Sequence, residues 1–233
     1  MTMRPNKLYR TLGTMAAAAA LLTAGLYCSR ASAGAHDAVT LPSPAVDLPR
    51  AAKPAKSTVV FAGGCFWGIQ AVFQHVKGVT EATSGYAGGS AENAKYELVS
   101  GGDTGHAESV RVTFDPSQVT YGQLLKVFFS VAHDPTELNH QGADEGTQYR
   151  SAVFFTDADQ KRVTDAYVAQ LGRAKTFPDR IVTEIVPLKA FYPAEAYHQN
   201  YATLHPDNPY IMFNDAPKVT HLQKLFPDLY RGQ

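Results

Sequence analysis

Residues 58–76 hold an apolar run, a pair of glycines and a helical repeat in direct succession, and this order leaves few folds open. Thr58-Val59-Val60-Phe61-Ala62 is short, apolar and rich in β-branched residues, which predicts a buried strand. Gly63 and Gly64 follow, and two glycines let the backbone turn sharply. From Phe66 onward, apolar residues recur at Ile69, Val72, Phe73 and Val76, the spacing of an amphipathic helix. Between turn and helix stands Cys65, with Phe66 and Trp67 beside it. That order places the cysteine at a helix N-terminus, where unpaired backbone N–H groups favour an anion. The thiol pKa is therefore expected to fall and the thiolate to become available. The glycines do not cradle a phosphate, because the spacing fits neither G-x-G-x-x-G nor the P-loop.

The rest of the chain supplies further elements. Glu108 to Phe114 alternates as a strand and stops at Asp115-Pro116. Thr120 caps an expected helix through Leu124, Leu125, Val127, Phe128 and Val131. Ser151 to Phe155 and Val182 to Val186 read as strands. Between them, Thr156 or Asp157 caps a helix to about Leu171. Two long segments rich in Gly and polar residues, Ser84 to Gly105 and His133 to Gln148, read as functional loops. The expected fold is α/β (α+β): a two-layer sandwich with a central mixed sheet, packed helices and long loops.

The N-terminus is a separate matter. Arg4, Lys7 and Arg10 precede an uncharged stretch from Thr11 to Tyr27, and Ala31-Ser32-Ala33 offers a small-x-small cleavage site. Residues 1–33 are expected to be a secretory signal, residues 34–56 a disordered, proline-containing linker, and residues 57–233 the folded domain with its C-terminal tail. Export to the periplasm or the medium follows, with an uncleaved membrane anchor as the alternative. Cys28 lies inside the signal, so the mature chain keeps one cysteine, Cys65. An unpaired cysteine in an oxidising compartment either joins another chain or reacts. The 21 basic and 21 acidic side chains balance, which gives no footprint for nucleic acid. No H-E-x-x-H and no second mature cysteine support a metal site.

Gly64-Cys65-Phe66-Trp67-Gly68 resembles the signature of the peptide methionine sulfoxide reductase A family. Further blocks follow in that family's order: Ser84-Gly85-Tyr86-Ala87-Gly88-Gly89; Tyr96; Gly102-Asp103-Thr104-Gly105-His106-Ala107-Glu108; His133-Asp134-Pro135-Thr136; Gly146-Thr147-Gln148-Tyr149-Arg150-Ser151; and Tyr197-His198-Gln199. The resemblance covers roughly residues 57–201. It implies that Cys65 is the nucleophile and Glu108 the acid, with a carboxyl pKa raised by burial. It implies that Tyr96 and Tyr149 hydrogen-bond the sulfoxide oxygen, that Asp144 stands nearby, and that Phe66 and Trp67 hold the substrate methyl. His106, His133 and His198 are expected to make supporting hydrogen bonds only. The implied substrate is methionine-S-sulfoxide, in oxidised proteins or free, and the implied product on the enzyme is a Cys65 sulfenic acid.

Many relatives resolve that acid with a C-terminal cysteine, but no cysteine follows Cys65 here. An external thiol is therefore the expected reductant: glutathione, a glutaredoxin or a thioredoxin-like protein, acting on a monomer with no bound cofactor. Two other readings use the same thiol. A cysteine–histidine hydrolase would take His106 or His198 as its base, and a redox-sensing binding protein would use Cys65 for a mixed disulfide.

Overall fold

In the computed structural model, residues 38–232 are described. The expected signal and the first residues of the expected linker lie outside them. In chain order the strands are β1 (Ser57–Ala62), β2 (Val79–Ala87), β3 (Ala107–Phe114), the two-residue strands β4 (His140–Gln141) and β5 (Asp144–Glu145), β6 (Ala152–Phe155), β7 (Glu184–Pro187) and β8 (Phe191–Pro193). β4 and β5 pair with each other. The other six form one sheet in the order β7-β6-β1-β3-β2-β8. The β6–β7 pair is parallel and the remaining neighbours are antiparallel, so the sheet is mixed, as expected.

The alternation along β1 decides what lies on each face. Val59 and Phe61 join one large core with Val110, Val112 and Phe114 of β3. Val60 and Ala62 point the other way and pack with Ala107, Ala152 and Phe154. Onto the first face come helices α1 (Phe66–Gln74), α3 (Tyr121–Val127) and α4 (Ala158–Ala174). Ile69, Val72 and Phe73 of α1 are fully buried there, each contributing about 1.5–3 kcal/mol by leaving water. Phe61 stacks between Phe73 and Phe128, with ring centroids at 5.1 and 4.6 Å. Among the described residues, α2 (Tyr96–Val99), α5 (Tyr201–Leu204) and α6 (Ala216–Leu225) are the remaining α-helices.

Thr120 caps α3 as expected. Its hydroxyl accepts from the Gln123 amide while the Gln123 side chain accepts from the Thr120 amide. A π-helical turn, Phe128–Ala132, carries the chain on from α3. Asp157, not Thr156, caps α4, accepting from the Gln160 amide at 2.8 Å. The helix runs to Ala174, where Lys175 adopts the left-handed region (φ 50°).

The C-terminal tail contains α6, whose Leu222 is buried. Two expectations need correction. Ser84–Ala87 is not the start of a loop but the end of β2, paired to β3 throughout and to β8 from Gly85. Residues 38–56, expected to be a disordered linker, lie along the domain in an extended path with fixed contacts. Leu41 is buried, the Val39 amide donates to the Ser130 carbonyl at 3.0 Å, and the Tyr167 hydroxyl donates to the Pro42 carbonyl at 2.9 Å. Asp47 accepts from the Gly122 amide at 2.7 Å and from the Thr120 hydroxyl, adding a second cap to α3. These hydrogen bonds, together with Leu41 in the core and Val39 and Leu48 packed against it, hold the segment down.

Candidate active site

Gly64 makes the turn into the site. Its φ of +93° is one that L side chains rarely adopt, and its amide donates to the Tyr149 carbonyl at 3.1 Å. Cys65 follows as the residue that caps α1, 8% exposed. The next amide, that of Phe66, donates to Glu108 Oε2 at 3.1 Å. Glu108 stands on β3 with 2% exposure, directly opposite Tyr86 of β2. The strand–turn–helix order read from the sequence thus brings Cys65 and Glu108 to one helix end.

Aromatic rings from distant segments enclose that end. Trp67 stacks on Tyr201 (3.9 Å, 11° between planes) and meets Tyr210 edge-on at 6.0 Å. Phe66 lies 5.1 Å from the His198 ring, and Tyr96 lies 4.4 Å from it. The Trp67 indole N–H donates to His198 Nδ1 at 3.2 Å, which fixes the imidazole tautomer with its proton on Nε2. Burial holds His198 below its ordinary pKa, against the pull of Glu195 and Glu97.

Electrostatics sort the titratable groups. Burial pushes the Glu108 carboxyl up to about 8; the Phe66 amide opposes the shift, while Asp144 and Asp215 add to it. The expected raised pKa is therefore present. The Cys65 thiol departs from expectation. Burial pushes it well above its ordinary value, Glu108 and Asp215 push it further, and the Trp67 amide and Lys218 only partly offset them. The helix-end argument treated the local dipole alone, whereas burial and two carboxyl groups from distant segments outweigh it. The resting nucleophile is a thiol.

Burial also raises the hydroxyl of Tyr149, with Glu108, Asp144, Cys65 and Tyr96 adding to the effect. The Tyr96 hydroxyl is raised in the same way, by burial and then by Glu108, Cys65, Tyr197 and Asp144. Cys65, Glu108, Tyr96, Tyr149 and Asp144 thus share one environment, and both phenols remain hydrogen-bond donors. Phe66 and Trp67 line it. Of the histidines, His106 bridges the Gly89 amide and the Ser90 carbonyl, and His133 bridges the Phe128 carbonyl and the Ser151 hydroxyl. Both tie loops together.

Sequence reasoning assigned no role to a second set. The Tyr210 hydroxyl donates to Asp144 Oδ2. Glu195 accepts from the Tyr96 amide (3.0 Å) and the Tyr86 hydroxyl (2.8 Å), and so positions Tyr96. Burial works against the Glu195 carboxylate, but these bonds hold it below its usual range. Gln199 accepts from the Ser84 amide and donates to the Ser84 carbonyl, closing the C-terminal segment against β2. Asp215 and Lys218 lie buried near α1. No periodicity marks these residues. Asp215 stands just before α6, and its side chain makes no capping bond. Among the described residues, no three His, Cys, Asp or Glu side chains gather where they could hold a metal ion. No described helix is long and apolar enough to cross a membrane.

Residues 57–229 match the family model described as peptide methionine sulfoxide reductase. Over 179 residues the chain is 60% identical to peptide methionine sulfoxide reductase MsrA 2 of Mesorhizobium japonicum, covering 77% of this chain and 92% of that one. It is 47% identical to the protein of the same name from Synechocystis sp., covering 83% and 91%. Among solved structures it resembles methionine sulfoxide reductase A of Corynebacterium diphtheriae (37% identity, TM-score 0.57, covering 74% and 86%). It also resembles Mxr1 of Saccharomyces cerevisiae in reduced form (34%, TM-score 0.60, covering 70% and 92%).

Proposed function

The chain belongs to the peptide methionine sulfoxide reductase A family, and from that premise we propose how its own residues reduce methionine sulfoxide to methionine. The observation that carries the proposal is the pairing of a buried thiol with a buried acid across the Phe66 amide. At neutral pH both Cys65 and Glu108 hold their protons. Cys65 Sγ attacks the sulfoxide sulfur, and the sulfoxide oxygen is protonated as negative charge develops on it. Glu108 is the acid for that step, and its pKa near 8 suits it to give and regain a proton near neutrality. Tyr96 and Tyr149 donate hydrogen bonds to the same oxygen.

The atoms balance without a cofactor. Oxygen passes from the substrate sulfur to Cys65, the substrate gains two electrons, and Cys65 loses two as it becomes a sulfenic acid. One external thiol then forms a mixed disulfide with release of water, and a second frees Cys65. Support for an external donor is the sequence itself, which has no cysteine after Cys65. Glutathione, a glutaredoxin or a thioredoxin-like protein fits this role. The basic N-terminal segment, the uncharged stretch after it and Ala31-Ser32-Ala33 support export of the enzyme, with its repair activity directed at oxidised methionine outside the cytoplasm.

Incubation with racemic dabsyl-methionine sulfoxide and dithiothreitol tests the reading. Consumption should stop at half, because the S epimer alone is used, and Cys65→Ser should abolish it. Full consumption of both epimers would refute the epimer assignment. Turnover by Cys65→Ser would refute the nucleophile.

A further inference from the structure

A buried ion pair lies behind the first turn of α1, in a place the reaction as derived above does not use. Asp215 ends the π-helical turn Ile211–Asp215, and Lys218 stands in α6. Asp215 has no exposed surface and Lys218 is 8% exposed, with Lys218 Nζ 3.4 Å from Asp215 Oδ1. The other carboxylate oxygen, Oδ2, has no hydrogen-bond partner among the described residues.

Gly68 explains how the pair reaches α1. A Cβ added there would lie 2.1 Å from Asp215 Oδ1 and 3.0 Å from Lys218 Nζ, so only glycine admits them. Gly68 is one helical turn beyond Cys65. Burying two charges is expensive, and a half-satisfied pair is a poor way to gain stability. A role in the charge balance of the site accounts for the arrangement better.

Resting on the reading of Cys65 as nucleophile, we propose that Asp215 and Lys218 are positioning residues whose opposite charges bias the Cys65 thiol–thiolate balance in opposite senses. Asp215 keeps the sulfur protonated between turnovers, and Lys218 keeps the thiolate within reach. The titratable groups whose charge acts on the sulfur are Glu108 from β3, Asp215, Lys218 from α6, and Tyr96, Tyr149 and Tyr210. Asp215 in turn faces Lys218 and Asp144, and burial raises its own carboxyl to about 6.

The test is alkylation of Cys65 by iodoacetamide in the full chain, followed by peptide mass from neutral to strongly alkaline pH. It involves no sulfoxide, so its outcome is separate from that of the reductase reading. Asp215→Asn should lower the alkylation midpoint by at least about half a pH unit, or roughly threefold in rate at fixed pH. Lys218→Met should raise it, and Lys218→Arg should restore the wild-type profile. Midpoints that move in the same direction, or that do not move, would overturn the proposal. If Lys218→Met does not fold, Asp215→Asn decides alone, and an unmoved or raised midpoint then refutes it.

Discussion

Two walls meet at Cys65, and they come from opposite ends of the domain. The first runs from Gly64 to Tyr149 and brings the thiol, Glu108, Tyr96, Asp144 and Tyr149. The second runs from Glu195 to Lys218 and brings His198, Tyr201, Tyr210, Asp215 and Lys218. The first wall holds the groups assigned to the chemistry, and all of them but Asp144 stand in recognisable blocks of sequence. The second wall packs on Trp67, bonds to Asp144 and sets charge around the sulfur. A nucleophile's reactivity is therefore read wrongly from its own segment. The local helix end favours the thiolate, and the opposite wall helps reverse that preference.

The sharpest way to break this division is to disable the first wall. Glu108→Gln should slow single-turnover reduction by about 10²–10⁴-fold, the usual range for a general acid. It should also remove the alkaline fall in rate expected of the wild type as pH rises through about 8. Stop-flow rates across pH read both effects, and a variant that keeps the alkaline limb would take the acid role away from Glu108.

The same substitution has a stability consequence. The folded carboxyl titrates near 8 and the unfolded one near 4.5, so the folded state holds a proton that the unfolded state releases. The stability tied to that proton is complete below about pH 4.5 and is lost as pH rises through about 8. Glu108→Gln should be more stable than wild type, by a margin that grows across this window to on the order of a few kcal/mol. Denaturant titrations at three pH values check the trend.

Disturbing the second wall should cost less. Tyr210→Phe leaves Asp144 Oδ2 without its hydroxyl donor. A lost bond to a charged group of about 1.5 kcal/mol predicts roughly tenfold lower kcat/KM. No change would mean that this wall packs without steering Asp144. Smallest for activity is Asp47→Ala, in the segment that belongs to neither wall. It should lose about 1–2 kcal/mol of stability with the double cap on α3, leaving kcat unchanged.

The sequence was legible wherever a residue's environment is local. The apolar run of β1, the alternation of β3, the repeat of α1, and the caps at Thr120 and at Thr156 or Asp157 follow from periodicity and hydrogen bonding within a few residues. Ser84–Ala87 misled because Ser and Gly mark loops, yet pairing on both edges makes the segment a strand. Residues 38–56 misled because prolines and low hydrophobicity mark linkers. Asp47, Gln170 and Tyr167 fasten the segment through partners far away in sequence. Asp215 carried no signal at all, since its neighbour Gly68 is 147 positions earlier. The motif located Cys65 and Glu108, but the ionisation of Cys65 depended on contacts that no motif contains.

One measurement tests the central claim that Cys65 alone carries the oxygen away. The enzyme is freed of thiols, mixed with excess methionine-S-sulfoxide, quenched, and trapped with dimedone. The account predicts one equivalent of methionine per chain and one dimedone adduct on the peptide that carries Cys65. Continued turnover without added thiol, or an adduct on any other residue, would contradict it.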